Sequence, residues 1–183
     1  MKTKLMVICS LFSAILCCLA FIQVTIPFTT IPITLQTLGV CIVGAVLGKK
    51  YGTISVVIYV LMGLCGIPVF AGMTGGMAVL VGPTGGYILG FIPSAFVIGY
   101  LCEKLYKRND TILSKYIKVF ISMIVGLIVV YIFGTIQFML VSKITLLEAL
   151  VLAVIPFVPL DIIKIIVGTV ITLFIKSRVY DFS

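Results

Sequence analysis

Val154-Ile-Pro-Phe-Val-Pro-Leu-Asp-Ile-Ile-Lys164, running on into Ile165–Ile175, sets an acid and a base inside an otherwise apolar run. Proline is tolerated in the first turn of a helix, where its missing N–H costs nothing, so the spacing predicts a helix that starts at Pro159. A charge at a bilayer centre costs about 2.5–3.5 kcal/mol. Residues three apart project from one helix face, which lets Asp161 and Lys164 look into one cavity. Ionisable groups inside a membrane usually face a bundle interior and mark a substrate or ion path. The plainer alternative is a structural pair, with Asp161 favoured by the helix dipole in the first turn and neutralised by Lys164.

Working outward, the whole chain is of the same apolar character. Of its 183 residues 62% are hydrophobic and 10% charged, against roughly 45–50% and about 25% in soluble domains. Such a chain cannot cover its surface with polar groups, and we read it as a single membrane domain over residues 1–183. The formal charge of +8 comes from basic residues dispersed at segment ends. This is not the clustered basic face that binds nucleic acid. The chain has no histidine and no tryptophan, so a histidine-ligated metal or a histidine base is excluded. Six cysteines (9, 17, 18, 41, 65 and 102) lie in or beside apolar segments without paired spacing. They read as small packing residues, and no metal site is expected.

About 20 apolar residues cross a bilayer. Leu5–Val24 meets that length and reads as an uncleaved first span, longer than a signal-peptide core. Further spans are expected at about Thr37–Gly48, stopping at Lys49-Lys50, then Gly52–Ile67, Tyr87–Leu101, Val119–Val141 and Leu160–Ile175. A charged connector covers Glu103–Lys118, and a short apolar segment covers Leu146–Ile155. Placing the N-terminus in the cytoplasm puts lysines 2, 4, 49, 50, 104, 107, 115, 118 and 176 inside, with Arg108 and Arg178. Only Lys143 is then outside and Lys164 is in the membrane. That asymmetry matches the positive-inside rule. The expected fold is an all-α integral membrane protein with six transmembrane helices, both termini cytoplasmic and a ligand pocket facing outward.

Two uncharged loops fall on that outer side: Thr25–Gln36, with two prolines, and Ala71–Tyr87, rich in glycine. Irregular backbone at membrane depth is tolerated only when buried in protein or lining a cavity. Beside an ion pair, these loops read as the rim of a pocket. Gly82-Pro-Thr-Gly-Gly-Tyr87 lacks the Gly-Lys-Ser/Thr ending of a phosphate loop. It reads as a tight bend whose amides and Thr84 hydroxyl face a ligand, with Tyr87 adding a ring and a hydroxyl. In the first span Ser10, Ala14 and Cys18 form a small-xxx-small stripe on which another helix can close, either a partner's or one of this bundle's own.

Pro32-Ile-Thr-Leu-Gln36, Gly82-Pro-Thr-Gly-Gly-Tyr87 and Pro159-Leu-Asp-Ile-Ile-Lys164 together resemble the BioY family. These are the biotin-binding capture subunits (S components) of energy-coupling-factor (ECF) transporters, and the resemblance covers nearly the whole chain. It implies a bacterial cell-membrane subunit that is not an enzyme and has no cofactor of its own. Such a subunit binds biotin near the outer face and works with a membrane coupling protein and two cytoplasmic ATPases. It further implies that Asp161 and Lys164 serve the bicyclic head of biotin, that Thr84, Gly85, Gly86 and Tyr87 contact ligand, and that Thr34 to Gln36 belong to a lid. The stripe that meets the coupling protein is typically alanine-xxx-alanine, whereas here it is Ser10, Ala14 and Cys18. Against this stand a stand-alone ion-coupled carrier with Asp161 as its ion site, an intramembrane enzyme, and a purely structural subunit. An enzyme lacks a nucleophile–base set beyond Asp161 and Lys164. A structural subunit leaves the polar loops unexplained.

Overall fold

The computed structural model describes residues 3–25, 31–107 and 109–180. The Pro27 end of the first loop lies outside the described residues, as do Lys2, Arg108 and the tail residue Asp181. Among the described residues seven helices carry the fold: α1 Thr3–Phe21, α2 Gln36–Leu64, α3 Met77–Val81, α4 Gly85–Leu105, α5 Ile112–Ser142, α6 Leu146–Ala153 and α7 Val158–Tyr180. Two short antiparallel strands, β1 Gln23–Val24 and β2 Ile33–Thr34, pair Gln23 with Thr34 and Val24 with Ile33.

Among the described residues five helices are long and apolar enough to cross a membrane, rather than the six expected. The difference lies in α2, which takes in both the second and third expected spans. At Gly48 its backbone turns to φ 76°, ψ 179°. A Cβ on Gly52 would lie 3.0 Å from the Cα of Gly44, and the Gln36 amide reaches the Tyr59 hydroxyl. In an unbroken helix those two pairs would be about 12 Å and about 35 Å apart along the axis. α2 therefore folds back on itself at Gly48. The reversal exposes new N–H groups, and Glu103 of α4 takes one of them, its Oε1 accepting from the Lys49 amide at 3.0 Å.

Small residues set the helix spacing, as expected where lipid gives no hydrophobic drive between helices. Gly44 faces the Ala95 carbonyl, Gly99 faces the backbone of Gly48 and Lys49, and Gly126 takes the Ile98 side chain. Ser94 donates to the Gly126 carbonyl at 2.9 Å. Buried residues gather around Tyr59, Phe70 and Phe91 near one end, and around Met123, Ile98 and Ile165 further along. Ile112, Leu147, Phe174 and many other large apolar side chains stay exposed, which suits a surface wetted by lipid.

Two boundaries depart from the sequence reading. α5 begins at Ile112 instead of Val119, because Thr111 caps it by accepting from the Ser114 amide. Its 31 residues measure about 46 Å, longer than the roughly 30 Å hydrocarbon layer, so its charged first turns run out beyond the apolar span. The apolar segment after Lys143 is helix α6, opened by a capping box between Thr145 and Glu148.

The bundle has two unlike ends. Lys49, Glu103, Tyr100 and Lys104 meet at one, where Lys115 and Lys176 also flank the Tyr106 ring. Thr34, Gln36, Thr84 and Asp161 lie at the other, around a cavity.

Candidate ligand-binding site

Helix α7 opens with the turn residues 154–157, and the Asp161 amide donates to the Phe157 carbonyl at 2.9 Å. Pro159 sits in the first turn, as its missing N–H requires. This start turns Asp161 and Lys164 to the same side. Lys164 Nζ lies 2.8 Å from Asp161 Oδ1, with the side chains only 12% and 5% exposed.

A buried charge pair survives only when its remaining valences are filled. Asp161 Oδ1 also accepts from the Thr37 hydroxyl at 3.2 Å, and Oδ2 accepts from the Tyr131 hydroxyl at 2.6 Å. Lys164 donates to the Thr34 backbone carbonyl at 2.7 Å and to Thr37 Oγ1 at 3.4 Å. An ammonium has three donors, and all three are engaged. Helices α2, α5 and α7 and strand β2 thus meet at one carboxylate and one ammonium.

Above this pair is a cavity of about 520 Å³. Phe70, Phe91, Phe157 and the rings of Tyr87 and Tyr131 supply apolar walls, while Gln23, Thr34, Gln36, Thr37 and Thr84 add polar points. Few polar groups in a largely apolar chamber is the usual make-up of a small-molecule site. Gln36 donates to the Tyr59 hydroxyl, which in turn donates to the Val69 carbonyl at 3.1 Å. That relay joins the end of the first loop to the segment that leads into the glycine-rich one. Gln137 of α5 donates to the carbonyls of Leu80 and Gly82 at 2.6 and 2.8 Å, holding the turn that presents Thr84.

The profile of the BioY family matches residues 1–181. The chain belongs to the BioY family. A BioY relative described as a biotin transporter, from Rhizobium etli, is 36% identical over 173 residues, covering 93% of this chain and 92% of the relative. Another so described, from Thermotoga maritima, is 42% identical over 155 residues, covering 84% of this chain and 86% of the relative. Among solved structures, the S-component for biotin from an ECF-type ABC transporter superposes with a TM-score of 0.87 at 33% identity. That match covers 96% of this chain and 92% of the other. These BioY relatives are transport proteins, not enzymes.

Six of the eight ligand residues read from the sequence line the cavity: Thr34, Gln36, Thr84, Tyr87, Asp161 and Lys164. Gly85 and Gly86 lie behind the wall. A Cβ at either would strike backbone, the Leu80 carbonyl for Gly85 and the Phe133 carbonyl for Gly86. Both glycines let α4 begin against its neighbours. The Tyr87 hydroxyl donates to the Ala153 carbonyl at 2.8 Å, so the ring faces the cavity while the hydroxyl anchors α6. The three residues of the α1 stripe, Ser10, Ala14 and Cys18, are all exposed, while Cys9, Ser13, Leu16 and Ala20 turn inward. Ser13, rather than the stripe, bonds the bundle, donating to the Ser55 carbonyl at 2.7 Å.

Sequence reasoning missed Thr37, Tyr131 and Gln23. Thr37 is one residue past a loop already singled out. Tyr131 is a lone hydroxyl in the middle of the apolar run Ile128–Phe133, and that was the available signal. Gln23 lines the cavity with a buried Oε1 that has no partner among the described residues.

Proposed function

We propose that this chain captures biotin from outside a bacterial cell for uptake by an ECF-type ABC transporter, with a membrane coupling protein and two ATPases as partners. The observation that carries the reading is the buried Asp161–Lys164 pair opening into a mostly apolar cavity of about 520 Å³. Biotin matches this chemistry. Its ureido group offers N–H donors to Asp161 and an oxygen to Lys164, and its thioether ring suits the phenylalanine walls. Lys164 has no spare donor, so the ligand oxygen replaces one present acceptor. Gln23 Oε1 adds an acceptor at the rim.

In this reading the chain crosses the membrane six times, because the halves of α2 on either side of Gly48 count separately. Both termini are cytoplasmic. Support comes from the gathering of Lys49, Lys104, Lys115 and Lys176 at one end of the bundle, away from the cavity. The exposed stripe of Ser10, Ala14 and Cys18 is the docking face for the coupling protein, since small residues allow close backbone approach.

A ligand that binds only the folded state must raise its apparent stability. The test is thermal unfolding of the purified protein with biotin, thiamine or riboflavin. Biotin alone is expected to raise the melting temperature, and equal shifts with all three would overturn the assignment.

A further inference from the structure

A second hollow lies at the basic end, far from the ligand cavity, between the later half of α2 and α4. It also measures about 520 Å³ and is lined by Lys49, Lys50, Thr53, Ile54, Val57, Ile58, Phe96 and Tyr100. Its α2 side follows from sequence spacing. Positions 50, 53, 54, 57 and 58 recur at the three- and four-residue intervals that share one helix face. Its α4 side is a stacked pair, the rings of Phe96 and Tyr100 lying 6.4 Å apart and 10° from parallel. Both rings are exposed, at 48% and 43%.

The hollow is polar only at its mouth. Lys49 lies 5.7 Å and Lys104 5.9 Å from the Tyr100 ring centre, and Lys50 lies 5.8 Å from that of Tyr51. Glu103 takes Lys49 at 3.4 Å and the Lys49 amide. Among the described residues neither Lys50 nor Lys104 has a carboxylate within ion-pair distance. From Lys50 the apolar wall runs through Val57 and Ile58, about 11 Å along the helix axis. The site therefore offers surplus positive charge at the mouth and a hydrocarbon slot beneath it.

The geometry points to a binding site for one anionic phospholipid, its phosphodiester at Lys50 and Lys104 and an acyl chain between Ile54, Val57, Ile58 and Phe96. Charge complementarity selects the headgroup, since basic pockets between membrane helices favour anionic lipids. The slot selects a lipid over a free phosphate, which would leave those apolar walls uncovered. This site stands independently of the ligand assigned to the first cavity.

The experiment uses the full chain in dodecyl maltoside, with phosphatidylglycerol and phosphatidylcholine as probes. Bound lipid is counted by native mass spectrometry and retention followed by titration. One phosphatidylglycerol per chain is expected, with phosphatidylcholine retained at least about tenfold less well. Lys50→Gln with Lys104→Gln is expected to weaken phosphatidylglycerol by about tenfold or more. Val57→Trp keeps the charges, fills the slot and is expected to abolish retention. Lys107→Gln with Lys115→Gln, equal in charge loss but outside the hollow, is expected to leave it unchanged. Circular dichroism and an unchanged melting temperature verify that each variant is folded. Equal retention of both lipids, or undiminished phosphatidylglycerol on folded Val57→Trp, would overturn the site. A chain dimer that Val57→Trp disperses, with no lipid bound, would assign the hollow to a second copy and overturn it too.

Discussion

Lys164 Nζ donates to the backbone carbonyl of Thr34 at 2.7 Å, joining α7 to strand β2 across 130 positions of sequence. The same ammonium holds Asp161. The position of strand β2 and the charge balance of the cavity therefore depend on one side chain. In the proposed reading a ligand oxygen that drew Lys164 away from Thr34 would loosen β2, and a loop that moved would free a donor.

Lys164→Met is expected to cost about 3–5 kcal/mol of stability, because it leaves Asp161 buried without its cation. Thermal unfolding in detergent measures that loss. Amide exchange at Gln23 and Thr34 should quicken as well. Protected amides in a protein of parental stability would show that the link is incidental.

Asp161→Asn is expected to weaken biotin by about 1–3 kcal/mol, the usual effect of spoiling a hydrogen bond to a buried charged group. Tyr131→Phe removes one hydroxyl that steadies the same carboxylate and should cost about 1 kcal/mol. Isothermal titration on folded variants distinguishes the two. Parental affinity in both would make the cluster structural.

Gly86→Ala drives a methyl toward the Phe133 carbonyl. Overpacking of this kind typically costs about 1–3 kcal/mol. The melting temperature should fall while the folded fraction binds biotin normally. A specific loss of binding at unchanged stability would instead make Gly86 a ligand contact.

Ala14→Trp places a bulky ring on the exposed stripe of α1. Pull-down of the coupling protein should be lost, with biotin binding to the isolated subunit intact. Undiminished pull-down would refute the docking face.

Legibility in the sequence followed the contrast of each residue with its surroundings. Asp161 and Lys164 stood out because charge is rare in an apolar run, and the structure does bring them together at the cavity. Thr34 and Gln36 were singled out by the resemblance of Pro32-Ile-Thr-Leu-Gln36 to the BioY family's first loop. Tyr131 did not stand out, because a tyrosine among isoleucines and valines looks like packing until a carboxylate is found beside its hydroxyl. Gly85 and Gly86 have a packing role that the sequence did not show. A glycine pair in a loop signals backbone near something, and here that something is the Leu80 and Phe133 carbonyls. The start of α5 was hidden because lysines 115 and 118 obscure an apolar span while leaving a helix intact. Lys118 meets Asp110 at 2.7 Å just outside it.

Gly48→Ala should be among the most damaging exchanges outside the cavity. Its φ of 76° with ψ of 179° belongs to a region that glycine alone occupies freely, worth about 1–3 kcal/mol for another residue. A Cβ there also strikes Glu103 Oε1. Expression yield and melting temperature read the effect, and a variant as stable as the parent would remove the turn's special status.

The turn at Gly48 also fixes a parity. Straightened, α2 would be a rod of 29 residues, about 44 Å long, crossing the bilayer once, whereas in the six-span topology proposed above the hairpin leaves and returns on the same side. Every later segment would then emerge on the opposite face. Lysines 104, 107, 115 and 118 would be carried across the membrane against the positive-inside rule, and the mouth of the Asp161 cavity would invert with them. In that topology a single residue without a side chain decides which compartment each downstream segment faces.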